Sequence, residues 1–127
     1  MFLDTDILIW GLKQEAKAVQ RLDELEDVQI SAVVFMELLQ GARNKAEQRT
    51  IESALSELGA VIVPLNEDIS NQAIALVKQF SLSHFLHMAD ALIAATALYH
   101  QTPIITGNDK HFGVVPGLKV EVFRSSH

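Results

Sequence analysis

The chain has 127 residues, of which 49% are apolar, carries a formal net charge of −6 and contains no cysteine. These values predict one globular domain, residues 1–127, and exclude disulfides, zinc–thiolate sites and a thiol nucleophile. The acidic charge disfavours a nucleic-acid binder with a basic face, but it leaves metal-assisted cleavage of a phosphodiester open.

Short apolar runs alternate along the chain with longer segments of helical periodicity. Ser31 and Asn66 are suitable N-caps, and Gly59 is a suitable helix stop. In chain order, the sequence predicts a strand at 1–3, a helix at 14–27, a strand at 28–31, helices at 32–43 and 46–58, a strand at 60–65, helices at 67–80 and 87–100, and strands at 102–106 and 119–123. Strands separated by helices indicate an α/β domain whose central parallel sheet has about four or five strands and helices on both faces.

The first residues also bear on location. Asp4 and Asp6 stand where a signal peptide would need a basic region followed by an apolar one. No run approaches the roughly 20 apolar residues of a membrane span. We therefore expect a cytoplasmic protein that does not enter the membrane.

Carboxylate and amide side chains interrupt strongly apolar sequence at four places. Asp4 follows the first strand, Glu37 lies within "VVFMELL", Asp90 begins "DALIAATAL", and Asn108 and Asp109 follow "PIITG". A turn or a helix cap explains most of these residues singly, but an acid in an apolar helix needs a partner. Together, at the carboxyl edge of one sheet, they would repel one another unless a cation were bound. Oxygen ligands suit Mg²⁺ or Mn²⁺, so the set favours metal-assisted hydrolysis.

The same residues lie in recognisable surroundings. The segments "FLDTDILIW", "ISAVVFMELLQGARN", "MADALIAATAL", "IITGNDKHF" and "VPGLKV" occur in the order, and at roughly the spacing, of PIN domains. The chain resembles in particular the VapC-type ribonuclease toxins of prokaryotic toxin–antitoxin pairs. The resemblance covers essentially the whole chain, and "DALIAATA" is its most specific piece.

The resemblance implies a set of site residues. Asp4, Glu37 and Asp90 match the family acids that bind Mg²⁺ or Mn²⁺. In the closing motif, "TGNDKHF", Asn108 stands at the usual place of a fourth acid, and neighbouring Asp109 is the alternative for that catalytic role. Supporting or substrate-contacting roles fall to Thr5, Asp6, Ser31, Thr106, His111 and Arg43.

The resemblance also implies a reaction and partners. Metal-activated water would cleave an RNA phosphodiester, leaving 5′-phosphate and 3′-hydroxyl ends, with Glu37 or Asp90 orienting that water. A cognate VapB-type antitoxin would neutralise the enzyme, and a second copy of the chain would form a homodimer.

Two alternatives stay open on the sequence. A haloacid-dehalogenase-like phosphatase would use Asp4 as nucleophile and Asp6 as general acid, although it has no use for Glu37. An inactive PIN-like interaction module would keep the fold without turnover, although retention of the acids argues against it. His84 and His87, three residues apart, are interpreted as surface or packing residues.

Overall fold

Five parallel strands form one sheet in the order β3-β2-β1-β4-β5. A computed structural model describes residues 1–126. Its strands are β1 (Phe2–Leu3), β2 (Gln29–Ser31), β3 (Val61–Val63), β4 (Ile104–Thr106) and β5 (Val120–Val122). Its helices are α1 (Thr5–Leu12), α2 (Ala16–Asp23), α3 (Ala32–Gln40), α4 (Lys45–Leu58), α5 (Glu67–His84), α6 (Met88–Tyr99) and α7 (Asp109–Phe112). The predicted α/β fold with a parallel sheet is confirmed.

The chain crosses the sheet in two directions from its central strand. It runs from β1 through β2 to β3, then returns past β1 to β4 and β5. Because crossovers between parallel strands are right-handed, the two directions place their helices on opposite faces. The order reverses between β1 and β4, and the crevice outside their carboxyl ends is where ligands bind in sheets of this kind.

The central strands are buried on both faces. Phe2, Leu3, Ile30, Ile104 and Ile105 are at most 1% exposed. Continuous apolar runs are typical of parallel strands covered by helices, whereas the edge strands β3 and β5 keep exposed side chains.

The helices depart most from the predicted elements at α1, α2 and α5. The sequence predicts no element at 7–12, whereas α1 begins at Thr5, directly after β1, with Asp4 as its N-cap. The helix predicted at 14–27 is shortened to α2, because Gln14 adopts a φ of 61° and Glu15 caps the helix after it. The helix predicted to end at Phe80 continues as α5 to His84, where it packs along α6.

Among residues 1–126, no helix has the length and apolar character needed to cross a membrane.

Candidate active site

Asp4 lies at the centre of the crevice, where β1 ends and α1 begins. Its Oδ1 accepts a hydrogen bond from the backbone N–H of Thr5 at 2.8 Å, which caps the helix. Its Oδ2 accepts one from the Thr106 hydroxyl at 2.7 Å, because β4 pairs beside β1. Asp4 is only 7% exposed, so its carboxylate is buried and fixed by both strand ends.

Three carboxyl groups of the crevice have raised pKa values. Burial raises the pKa of Asp4 to about 6, and the charges of Asp6 and Asp90 add to the effect, against hydrogen bonds from Thr106 and Thr5. Burial also raises the pKa of Asp6 and of Asp90. Burial in the crevice therefore disfavours the charged form of all three carboxyl groups more than their hydrogen bonds favour it.

Glu37 joins this site from α3. Its Oε1 accepts a hydrogen bond from the Thr5 hydroxyl at 2.8 Å, which ties α3 to the start of α1. Glu37 also lines a cavity of about 570 Å³ between α1, α3 and α4, together with Arg43. The sequence predicts that an acid in an apolar helix has a partner, and for Glu37 this partner is the Thr5 hydroxyl.

Asp90 approaches from the first turn of α6, next to the closing motif. Its Oδ2 lies 3.4 Å from Nδ1 of His111, and the side-chain amide nitrogen of Asn108 lies 3.1 Å from the same Nδ1. The backbone N–H of Asn108 donates to the Thr106 hydroxyl at 2.9 Å. A continuous set of contacts therefore leads from Asp90 to Asp4.

Asp6 and Asp109, which lie near the site residues in sequence, have different hydrogen-bond partners. Both oxygens of Asp6 accept backbone hydrogen bonds, from Ile7 at 2.8 Å and from Gly107 at 2.7 Å. Asp109 instead accepts a hydrogen bond at 2.6 Å from Nη2 of Arg124, and this hydrogen bond lowers the pKa of Asp109.

Not all predicted site residues meet in the crevice. Those connected there by direct contacts are Asp4, Thr5, Glu37, Asp90, Thr106, Asn108 and His111. Ser31 caps α3 by accepting from the N–H of Val33 at 3.1 Å. Arg43 is exposed and forms an ion pair with Glu47 at 2.7 Å.

Two side chains beside the site were not assigned to it from the sequence. The His87 ring stands edge-on to His111 with centroids 6.4 Å apart. Arg124 donates through Nη1 to the carbonyl oxygen of Gly107 at 2.7 Å. The sequence could have indicated Arg124 only through its position. It follows the last strand, β5, and β5 pairs with β4.

The oxygen-rich crevice is not a complete metal site by itself. Within the described range, 1–126, no three His, Asp or Glu side chains lie close enough together to hold a metal ion. The carboxylates of Asp4, Glu37 and Asp90 are linked through hydroxyl, amide and imidazole groups instead.

Comparison with known proteins adds a family to this geometry. A family model described as PIN domain matches residues 1–118. Ribonuclease VapC19 of Mycobacterium tuberculosis is 33% identical over an alignment of 122 residues, and the match covers 92% of this chain and 95% of that protein. A chain of a toxin–antitoxin complex from Klebsiella pneumoniae is 31% identical, with a TM-score of 0.79 and 95% of each chain covered. A chain of VapBC2 from Rickettsia felis, in a crystal structure with a DNA fragment from the VapBC2 promoter, is similar in fold alone. It is 22% identical, with a TM-score of 0.83, and the match covers 97% of this chain and 98% of that chain.

Proposed function

The chain belongs to the PIN domain family, and on that premise we propose that it is a divalent-metal-dependent endoribonuclease of the VapC type. The observation that carries the proposal is the buried Asp4 carboxyl at the switch point of the sheet, with Glu37 and Asp90 linked to it from either side. The similarity to Ribonuclease VapC19 supports RNA as the substrate.

The donor chemistry fits a hard divalent cation. Asp4, Glu37 and Asp90 offer oxygen atoms only, which suits Mg²⁺ or Mn²⁺. Burial raises the pKa of Asp4 to about 6, and repulsion from Asp6 and Asp90 adds to the effect; a bound cation would favour the charged form. When bound, the metal would lower the pKa of water and offset charge that develops on the phosphate oxygens.

The chain's own residues then have distinct tasks. Thr106 and the Thr5 N–H orient the two oxygens of Asp4, and the Thr5 hydroxyl fixes Glu37. We assign to Glu37 the orientation of the attacking water. Attack by water would leave 5′-phosphate and 3′-hydroxyl ends.

Asn108, rather than Asp109, is our choice for the fourth polar position. Asn108 contacts both Thr106 and His111, and His111 in turn lies against Asp90. Asp109 is already paired with Arg124 at 2.6 Å.

The phosphatase alternative has little support in this geometry. A general acid must present an oxygen to the leaving group, whereas both Asp6 oxygens accept backbone N–H groups. Asp6 therefore has a supporting role in the proposal, as an anchor for the chain after β4.

We propose a VapB-type antitoxin and a second copy of the chain as protein partners, and the cytoplasm as the place of action. The similarity to a chain of the Klebsiella toxin–antitoxin complex supports the antitoxin. Light scattering of the purified chain, of mass 14.0 kDa, distinguishes monomer from dimer. The domain boundaries, 1–127, stay a prediction.

The test of the proposed function is Asp90→Asn against a matched control. The wild type should cleave RNA in millimolar Mg²⁺, and Asp90→Asn should lower kcat by about 100-fold or more, since it removes a carboxylate at the metal. Asp68 is also a first-turn acid, in α5, and is exposed, so Asp68→Asn should keep full activity. Equal cleavage by Asp90→Asn and wild type would refute the site assignment, and 5′-hydroxyl products would refute attack by water.

A further inference from the structure

Residues 123–126, the C-terminal tail, lie across the closing motif. The backbone N–H of Phe123 donates to the Thr106 carbonyl at 2.9 Å, and the Phe123 side chain is 9% exposed. Arg124 reaches both Gly107 and Asp109, at 2.7 and 2.6 Å. Farther along, the Ser126 hydroxyl donates to Glu15 at 2.8 Å, at the N-cap of α2. The tail is thus fixed on either side of Arg124.

Gly107 is enclosed between this tail and the active site. A Cβ on Gly107 would lie 2.8 Å from Oδ2 of Asp6 and 3.2 Å from the Phe123 carbonyl oxygen. Its N–H donates inward to Asp6, and its carbonyl oxygen accepts outward from Arg124. The peptide units on both sides of Gly107 are therefore fixed, and Asn108 follows directly.

We propose that Arg124 is a positioning residue for the nuclease: its guanidinium bridges Gly107 and Asp109 and so sets where Asn108 and His111 face Asp90. The inference rests on the proposed function. An arginine fork can donate to a carbonyl and a carboxylate at once, whereas a lysine ammonium is a single point of charge. Because an exposed ion pair contributes little to stability, the effect should be seen in catalysis more than in unfolding.

The alternative is that Arg124 only attracts RNA, and kinetics separate the two roles. We expect Arg124→Gln and Arg124→Lys each to lower kcat by about 10-fold with little change in KM for RNA, because small displacements of catalytic groups are costly. Lys78→Gln removes one exposed positive charge from α5 and should change neither. A KM that is raised in Arg124→Gln and normal in Arg124→Lys, with a difference from wild type that disappears at high salt, would overturn the proposal.

A readout without activity completes the test. Hydrogen exchange of the Gly107 amide, measured by NMR, should be faster in Arg124→Gln and in Asp109→Asn. The double variant should exchange no faster than Arg124→Gln, because both changes break the same contact. Unchanged exchange in Arg124→Gln would overturn the positioning role. If the wild type does not cleave RNA, the proposed function fails, and the Gly107 exchange still decides whether Arg124 holds this segment.

Discussion

The Asp4 carboxylate, which is proposed to bind the metal, should lower the stability of the metal-free protein. Burial raises its pKa from 3.8 to about 6, so between these values the native protein keeps a proton that the unfolded chain has lost. The contribution of Asp4 to the free energy of unfolding should therefore fall as the pH rises from about 4 to about 6. The gap between the two pKa values corresponds to at most roughly 3 kcal/mol.

Asp4→Asn should accordingly stabilise the metal-free protein while abolishing RNA cleavage. Asparagine keeps an oxygen for the Thr5 N–H and removes the buried charge, but it presents an amide N–H where Asp4 accepts from the Thr106 hydroxyl, which reduces the expected gain. We expect a gain on the order of 1–2 kcal/mol at pH 7.5 and a flatter pH dependence between pH 4 and 6, both measured by urea unfolding in EDTA. A variant less stable than wild type at pH 7.5 would contradict this account of Asp4.

The sequence identified most of the individual residues in the crevice, but not all of their contacts. Apolar surroundings were enough to single out Asp4, Glu37 and Asp90, because an acid at a buried strand end or within an apolar helix needs a partner. Arg124 could not be found in this way, since one of its partners is the Gly107 carbonyl. The sequence does not show which backbone carbonyl groups accept hydrogen bonds from side chains.

At the level of elements, the strands were easier to predict than α1. Each of the five predicted strands contains an observed one, because short β-branched or apolar runs between helices have few other interpretations. The segment "TDILIWGL" is apolar almost throughout and lacks the polar face that identifies a helix. Strand order was also beyond the sequence, since β1 and β4 are joined only by tertiary pairing.

Gly59 allows a direct test of one element boundary. It ends α4 at a φ of 72°, and a Cβ there would meet no atom within 4 Å. Gly59→Ala should therefore lower the free energy of unfolding by about 1 kcal/mol through backbone strain alone, and Gly59→Asn by less.

Gly41 supplies the control for that substitution. It ends α3 at a φ of −75°, where alanine is unstrained, and its Cβ would lie at an ordinary 3.4 Å from the Glu37 carbonyl oxygen. Gly41→Ala should be neutral or slightly stabilising in the same urea titration. Equal losses at both glycines would show that packing, and not φ, determines the effect at Gly59.

For the whole molecule, the net charge of −6 and the concentration of acids at one sheet edge lead us to expect that cations raise its stability. Mn²⁺ or Mg²⁺ binding only to the native state should raise Tm, by an amount equivalent to about 2.7 kcal/mol at 100 times Kd. Thermal unfolding with and without metal, compared with EDTA, measures this shift. Asp90→Asn should reduce the shift and exposed Asp68→Asn should retain it; an equal shift in both variants would place the cation elsewhere.

The pairing of β1 with β4 has a consequence for the time at which activity can arise. Asp4 and Thr106 are 102 positions apart, and Arg124 lies farther along still. A polypeptide in which synthesis stops before Thr106 lacks the strand beside β1 and the hydroxyl that holds Asp4. Prematurely terminated chains should thus not cleave RNA. A series of chains shortened from the C-terminus should gain cleavage only when Thr106 and the segment after it are present.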